Sequence, residues 1–131
     1  MRAFPLLCCL LLVTGCSESP TSPTIPLNRE FVLAPGAAAL IGGASMTIKF
    51  NGVTGDSRCP ADAVCVWGGD AIVSLTVTST GGSRNHELHT GDMRPVTHDD
   101  VTISLVQLAP YPFSSSPIQP GDYRATLKAT R

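Results

Sequence analysis

Val73-Ser74-Leu75-Thr76-Val77-Thr78 alternates aliphatic side chains with hydroxyl-bearing ones. An extended chain turns successive side chains to opposite faces, so this period of two predicts a strand with one buried and one solvated face. The same period recurs on both sides of it. Met46, Ile48 and Phe50 alternate with Thr47, Lys49 and Asn51, while Tyr123, Ala125, Leu127 and Ala129 alternate with Arg124, Thr126, Lys128 and Thr130. Val101, Ile103 and Leu105 start a fourth run, but Val106 and Leu108 continue it in the opposite phase. A β-bulge near Leu105, or burial of both faces, would produce that slip.

Shorter stretches at residues 30–33, 38–41, 64–67 and 85–88 read as further strands. Turn signals separate them: Pro35-Gly36, Gly42-Gly43, Gly55-Asp56, Gly68-Gly69-Asp70, Gly81-Gly82 and Gly91-Asp92. No segment carries a 3.6-residue period, and no internal repeat is present. Seven or eight short strands with frequent turns predict an all-β chain folded as a small antiparallel β-sandwich, Ig-like or related. A small β-barrel is the alternative.

The N-terminus follows different rules. Met1-Arg2 precedes eleven apolar residues, 3–13, and Val13-Thr14-Gly15-Cys16 closes the stretch with small residues and a cysteine. Eleven residues are too few to span a bilayer as a helix and suit the apolar region of a secretory signal. This segment resembles the lipobox of bacterial lipoproteins, which are lipid-modified on the cysteine and cleaved just before it. The resemblance implies a signal peptide over residues 1–15 and a lipid on Cys16. Residues 16–27 then form the lipidated cysteine and a tether rich in Pro, Ser and Thr, and residues 28–131 form a single β-sandwich domain. Ser17 after the lipid cysteine is similar to an outer-membrane address in a bacterium with two membranes, where Asp would favour the inner one.

Cleavage before Cys16 removes 15 of 131 residues and leaves 116, enough for one domain with a core and too few for two. Ser17 to Pro26 contains three prolines and little to bury, so it is expected to be extended, reaching up to ~30 Å at about 3.1 Å per residue. Of nine basic residues only Arg2 leaves with the signal, and the remaining eight face ten acidic ones. With no basic cluster, neither nucleic acid nor anionic lipid is an expected partner, and membrane attachment falls to the lipid.

Five cysteines sort by position: Cys8 and Cys9 lie in the signal, Cys16 takes the lipid, and Cys59 and Cys65 remain. One pair in an exported chain predicts a structural disulfide. Five intervening residues do not make a two-residue redox motif, and a zinc site would need two more ligands.

Asp56-Ser57-Arg58-Cys59-Pro60 followed by Cys65-Val66-Trp67-Gly68-Gly69 resembles a segment of small exported bacterial proteins of uncharacterised function. Ala109-Pro110-Tyr111-Pro112 and Asp122-Tyr123 are similar to their C-terminal part. The likeness spans about residues 31–131 and implies a compact disulfide-bonded β domain. It brings no catalytic residues with it.

No residue pattern builds a convincing catalytic site. Gly55-Asp56-Ser57 resembles the nucleophile block of one esterase superfamily, but that family is α/β and places Asp-x-x-His late in the chain. No histidine follows His98 here, and no Gly-x-Ser-x-Gly occurs. His86-Glu87-Leu88-His89 is not His-Glu-x-x-His, and on a strand its two histidines point to opposite faces. These histidines and their neighbours are expected to be solvated edge and loop residues, with no metal bound. The alternative is a metal site, since His89, His98 and Asp99 could meet across a hairpin; His86, His89, His98 and Asp99 would be its candidate ligands. No cofactor is expected.

Candidate contact residues lie elsewhere. Trp67, two residues after Cys65, is expected to pack into the core against the disulfide; left exposed, it would be a binding hot spot. Pro110-Tyr111-Pro112-Phe113 stiffens two aromatics, which either form a contact surface or cap the open end of the sandwich. Arg58 can pair with Asp56 or Asp62, or point towards a partner. Arg58, Trp67, Tyr111 and Phe113 are therefore the candidate binding surface. The functional expectation is a lipid-anchored envelope protein with a non-enzymatic binding or structural domain and an envelope protein as its candidate partner. An inhibitor of proteases or cell-wall hydrolases is the first alternative, and a metal-binding or metal-dependent hydrolase the second.

Overall fold

A computed structural model describes residues 21–131. The expected signal peptide and Cys16 lie outside the described residues. Among the described residues nine strands follow one another: β1 Thr24–Pro26, β2 Glu30–Leu33, β3 Ala38–Gly42, β4 Met46–Asp56, β5 Ala71–Ser79, β6 Gly82–His89, β7 Val96–His98, β8 Val101–Ala109 and β9 Arg124–Thr130. A 3-10 turn, Pro120–Asp122, precedes β9. The strands form two sheets, ordered β1-β3-β4-β5-β6 and β2-β9-β8-β7. All pairings are antiparallel except β1 with β3. The result is a β-sandwich and not a barrel.

Alternation fixes what each sheet buries. Met46, Ile48 and Phe50 of β4, Val73, Leu75 and Val77 of β5, Val101, Ile103 and Leu105 of β8, and Ala125, Leu127 and Ala129 of β9 all lie in one core. Their partners in sequence face water. On the outer face of the first sheet the Asn51 amide donates to Thr76 Oγ1 at 2.9 Å, Thr76 faces Asn85, and Thr78 faces Ser83. Such cross-strand polar pairs stabilise a solvated sheet face.

The phase slip in β8 is a bulge. The register with β9 shifts between Leu105 and Gln107, which leaves Val106 exposed and returns Leu108 to the core. β4 carries two further shifts against β5, between Phe50 and Gly52 and between Val53 and Gly55. Gly52 has a φ of 139°, open to glycine and costly for other residues. The sequence reading ended this strand near residue 51, whereas it runs on to Asp56, so Gly55-Asp56 closes a strand and is not a free turn.

Three other elements differ from the sequence reading. Residues 64–67 are an irregular exposed loop, because the bridge at Cys59 and Cys65 closes the chain on itself and denies this stretch a strand partner. β7 is only three residues long and carries too few positions to show a period. β1 lies within the stretch read as tether: Thr24 pairs with Leu40, Ile25 with Ile41 and Pro26 with Gly42. Pro26 is tolerated because β1 is an edge strand, where a missing N–H costs no ladder bond.

The registers define two ends. At one, Asp56 pairs with Ala71, Ile72 with His89, Ala109 with Arg124 and Leu33 with Ala125. This end carries the long connections, residues 57–70 and 110–123. The opposite end has the tight turns after β3, β5 and β7.

Candidate binding surface

Loop 57–70 leaves β4 and returns to β5 through a narrow neck. The Ser57 amide donates to the Asp70 carbonyl at 2.7 Å, and the Asp70 amide donates to Ser57 Oγ at 3.1 Å. Gly69 sits inside that neck with φ 69°, and a Cβ there would lie 2.4 Å from the Ser57 carbonyl oxygen. Beyond the neck, Cys59 and Cys65 are joined by a disulfide with Cα atoms 5.9 Å apart.

The second loop braces the first. The Ala61 amide donates to the Pro112 carbonyl at 2.9 Å, and Asp62 Oδ1 accepts from both the amide (2.9 Å) and the hydroxyl (3.1 Å) of Ser114. Those bonds hold the Asp62 carboxyl below its usual range, the Ser114 amide contributing most. Arg58 reaches further in. Its side chain is only 7% exposed, and it donates to Asp56 through Nε and Nη2, to the Leu108 carbonyl through Nη1 and to the Pro110 carbonyl through Nη2. The guanidinium carbon stands 5.5 Å from the centroid of the Tyr111 ring. Arg58 thus points inward, not towards a partner, because Asp56 and two carbonyls take up its donors. It is a brace of the surface and not part of its face.

Trp67 is the second correction. It is 59% exposed, with Nε1 donating to the Ser57 carbonyl at 3.2 Å, and it does not enter the core. The core is already filled by the two sheets, and the neck at Ser57 and Asp70 holds the loop outside it. Val64 and Val66 are fully exposed on either side of Cys65, and Tyr111 and Phe113 are about half exposed on the bracing loop. Two loops thus place five large apolar side chains on one end of the sandwich. Beside them, Asp56, Arg58, Phe113, Ile118 and Tyr123 help line an open groove of about 220 Å³. The sequence predicts a strand through Val64 and Val66; their exclusion from any sheet, set by the disulfide, makes them surface.

The histidines divide. His86 Nε2 lies 3.1 Å from His98 Nδ1, and the rings meet edge to face. His98 Nε2 lies 3.2 Å from Ser79 Oγ, which donates to Asp99 Oδ2 at 2.6 Å. His89 stands apart and pairs with Asp70 at 2.5 Å. The structure therefore brings His86, His98 and Asp99 towards one another and keeps His89 away from them. Among the described residues no three His, Cys, Asp or Glu side chains are grouped to hold a metal ion.

Proton accounting decides what the Ser79 chain can do. The Ser79 hydroxyl has one proton, and it is donated to Asp99 Oδ2 at 2.6 Å. A general base needs a lone pair facing the nucleophile's proton, whereas the Ser79 proton is turned to Asp99 and away from the His98 ring. The arrangement satisfies a buried imidazole.

No protein-family model, curated protein or solved structure matches the chain.

Proposed function

We propose that the chain is a lipid-anchored cell-envelope protein whose β-sandwich is a non-enzymatic binding domain, with the end formed by loops 57–70 and 110–123 as its contact surface. Signal peptide, lipobox and Cys16 supply the anchor; Ser17 favours the outer membrane in a bacterium that has one. The observation that carries the binding reading is the exposure of Val64, Val66, Trp67, Tyr111 and Phe113 together on braced loops. Exposed apolar side chains gathered at one end of a domain mark contact sites, and a surface already held by a disulfide and by Arg58 loses little entropy when it binds. The Ser79 proton arrangement and the separation of His89 from His98 speak for binding rather than catalysis.

Mass spectrometry of the protein extracted from envelopes tests the anchor. The reading expects an N-terminus at Cys16 carrying lipid, and expects a Cys16→Ser variant to leave the membrane fraction. An unmodified Cys16 would overturn it.

A second reading, inhibition of a protease or cell-wall hydrolase, is favoured by the exposed Val64-Cys65-Val66 segment, presented on a loop closed by a disulfide. It expects stoichiometric inhibition that Tyr111→Ala weakens.

A further inference from the structure

We infer that the apolar loop end rests on the bilayer that carries the lipid, with Val64, Val66, Trp67, Tyr111 and Phe113 entering its interface. The inference deepens the proposed function and rests on the lipid being at Cys16.

β1 is parallel to β3, with Thr24 beside Leu40, and Leu40 lies opposite Thr47 of β4. Moving back from Thr24 along the chain therefore means moving up β4 towards Asp56, the end that carries loop 57–70. The Leu40 amide donates to the Pro23 carbonyl at 2.9 Å, and residues 21–23 border Gly36, Ala37 and Ala38. Ala37 in turn accepts from the Phe50 amide at 3.0 Å, so Thr21 stands near the level of Phe50.

Thr21 follows Cys16 by five residue steps. They span at most about 18 Å at ~3.6 Å per residue, against the ~30 Å that a ten-residue tether would allow. Gly55 likewise follows Phe50 by five residue steps on β4. Fully extended along the sheet, the connection brings Cys16 only to the level of Gly55, and loop 57–70 begins past that level, after Asp56. A lipid held there cannot keep the bilayer clear of the loop tips while the domain stands on this end.

The chemistry of the end fits an interface. Trp and Tyr favour the headgroup level, where a ring can be apolar on one side and hydrogen-bonded on the other. Trp67 meets that condition, with its Nε1 held by the Ser57 carbonyl. Interfacial apolar groups enter about 5–10 Å below the headgroups. Arg58 is the one cation in residues 57–70 and 110–123, and it is turned inward onto Asp56. Asp62, Asp70 and Asp122 stand in the same segments. The contact is therefore apolar and gains nothing from anionic lipid.

Trp67 is the sole tryptophan of the chain, so its fluorescence reports this end alone. The experiment uses the lipidated protein reconstituted into phosphatidylcholine vesicles, with flotation as the check on anchoring. We expect Trp67 emission to shift to the blue and to lose intensity when the acyl chains are brominated, equally with and without phosphatidylglycerol. A Val64→Asp/Val66→Asp variant, altered at two fully exposed positions, should still float and should lose most of that quenching. Failure to float would refute the anchor and take the inference with it. Flotation with Trp67 unquenched and open to aqueous acrylamide would refute the inference and leave the anchor standing. Shielding of Trp67 from acrylamide in native envelopes, without quenching by lipid, would give this end to a protein partner and also overturn the inference.

Discussion

The hydroxyl of Tyr123 reaches across 67 residues of chain to donate to Asp56 Oδ2 at 2.9 Å, the same oxygen that Arg58 Nη2 meets at 2.7 Å. Asp56 ends β4 in one sheet and Tyr123 stands just before β9 in the other, so one carboxylate ties both sheets to the base of the apolar loops. Burial works against the charge on Asp56, but hydrogen bonds from Arg58 and Tyr123 and the nearby guanidinium outweigh it and hold its pKa below the usual range.

Removing the cation should be the most damaging change at this junction. Arg58→Ala leaves the Asp56 carboxylate, whose side chain is 13% exposed, without its cation and frees the carbonyls of Leu108 and Pro110, for a loss of roughly 3 kcal/mol. Arg58→Lys should recover only part of it, since an ammonium cannot engage both carboxylate oxygens and two carbonyls in one plane. Tyr123→Phe removes one bond to a charged acceptor and should cost about 1.5 kcal/mol. Urea unfolding of the three variants gives the order directly. Equal midpoints for Arg58→Ala and wild type would contradict the bracing role.

Acid should weaken the same junction. The folded pKa of Asp56 is depressed, and so are those of Asp62 and Asp70. An unfolded Asp titrates near 3.9, so the unfolded chain binds more protons below that pH. The stabilisation is fully present above about pH 4 and is lost as pH falls through the depressed folded values. Denaturant midpoints between pH 6 and 2 should drop most steeply below pH 4, and Asp56→Asn should flatten part of that slope.

Adjacent glycines should behave oppositely. A Cβ on Gly69 would meet the Ser57 carbonyl oxygen, Arg58 Cα and the Cys59 amide at 3.0 Å or less, at a positive φ as well. Every one of those atoms is backbone, so nothing can swing aside. Gly69→Ala should cost about 2 kcal/mol or more. Gly68 has no neighbour within 4 Å, and Gly68→Ala should stay within roughly 0.5 kcal/mol of wild type. Thermal melts of the two variants make the comparison.

Regular strands were legible in the sequence wherever one face is buried. Residues 30–33 became β2 unchanged, and the phase slip after Leu105 announced a bulge one residue on. Periodicity failed where it had too few positions, as in the three-residue β1 and β7, and where a covalent bridge overrode it, as at Val64 and Val66. The proposed contact surface was half legible. Tyr111 and Phe113 showed themselves through their flanking prolines, whereas the average tendency of tryptophan to be buried misplaced Trp67. Only the neck at Ser57 and Asp70 shows why that ring stays outside. The direction of Arg58 was not legible either, because its acceptors at Leu108 and Pro110 lie 50 and 52 residues away.

The two outer histidines should titrate on opposite sides of the ordinary imidazole value. Burial, then repulsion from the His98 ring and Arg84, lowers the pKa of His86. The hydrogen bond to Asp70, helped by the charges of Asp70, Asp92 and Glu87, raises that of His89. The signs separate in stability. For His86 the unfolded chain takes up a proton first, so a penalty appears as pH falls through about 6.5. For His89 the folded chain holds its proton longer; its stabilisation is present below about 6.5 and fades as pH rises through the raised folded value. Ring-proton NMR titration should resolve the two curves. Asp70→Asn should draw the His89 curve back towards 6.5 and leave His86 where it was, since His89 and His86 share no partner. A His89 curve unmoved by Asp70→Asn would mean that the Asp70 contact does not hold in solution.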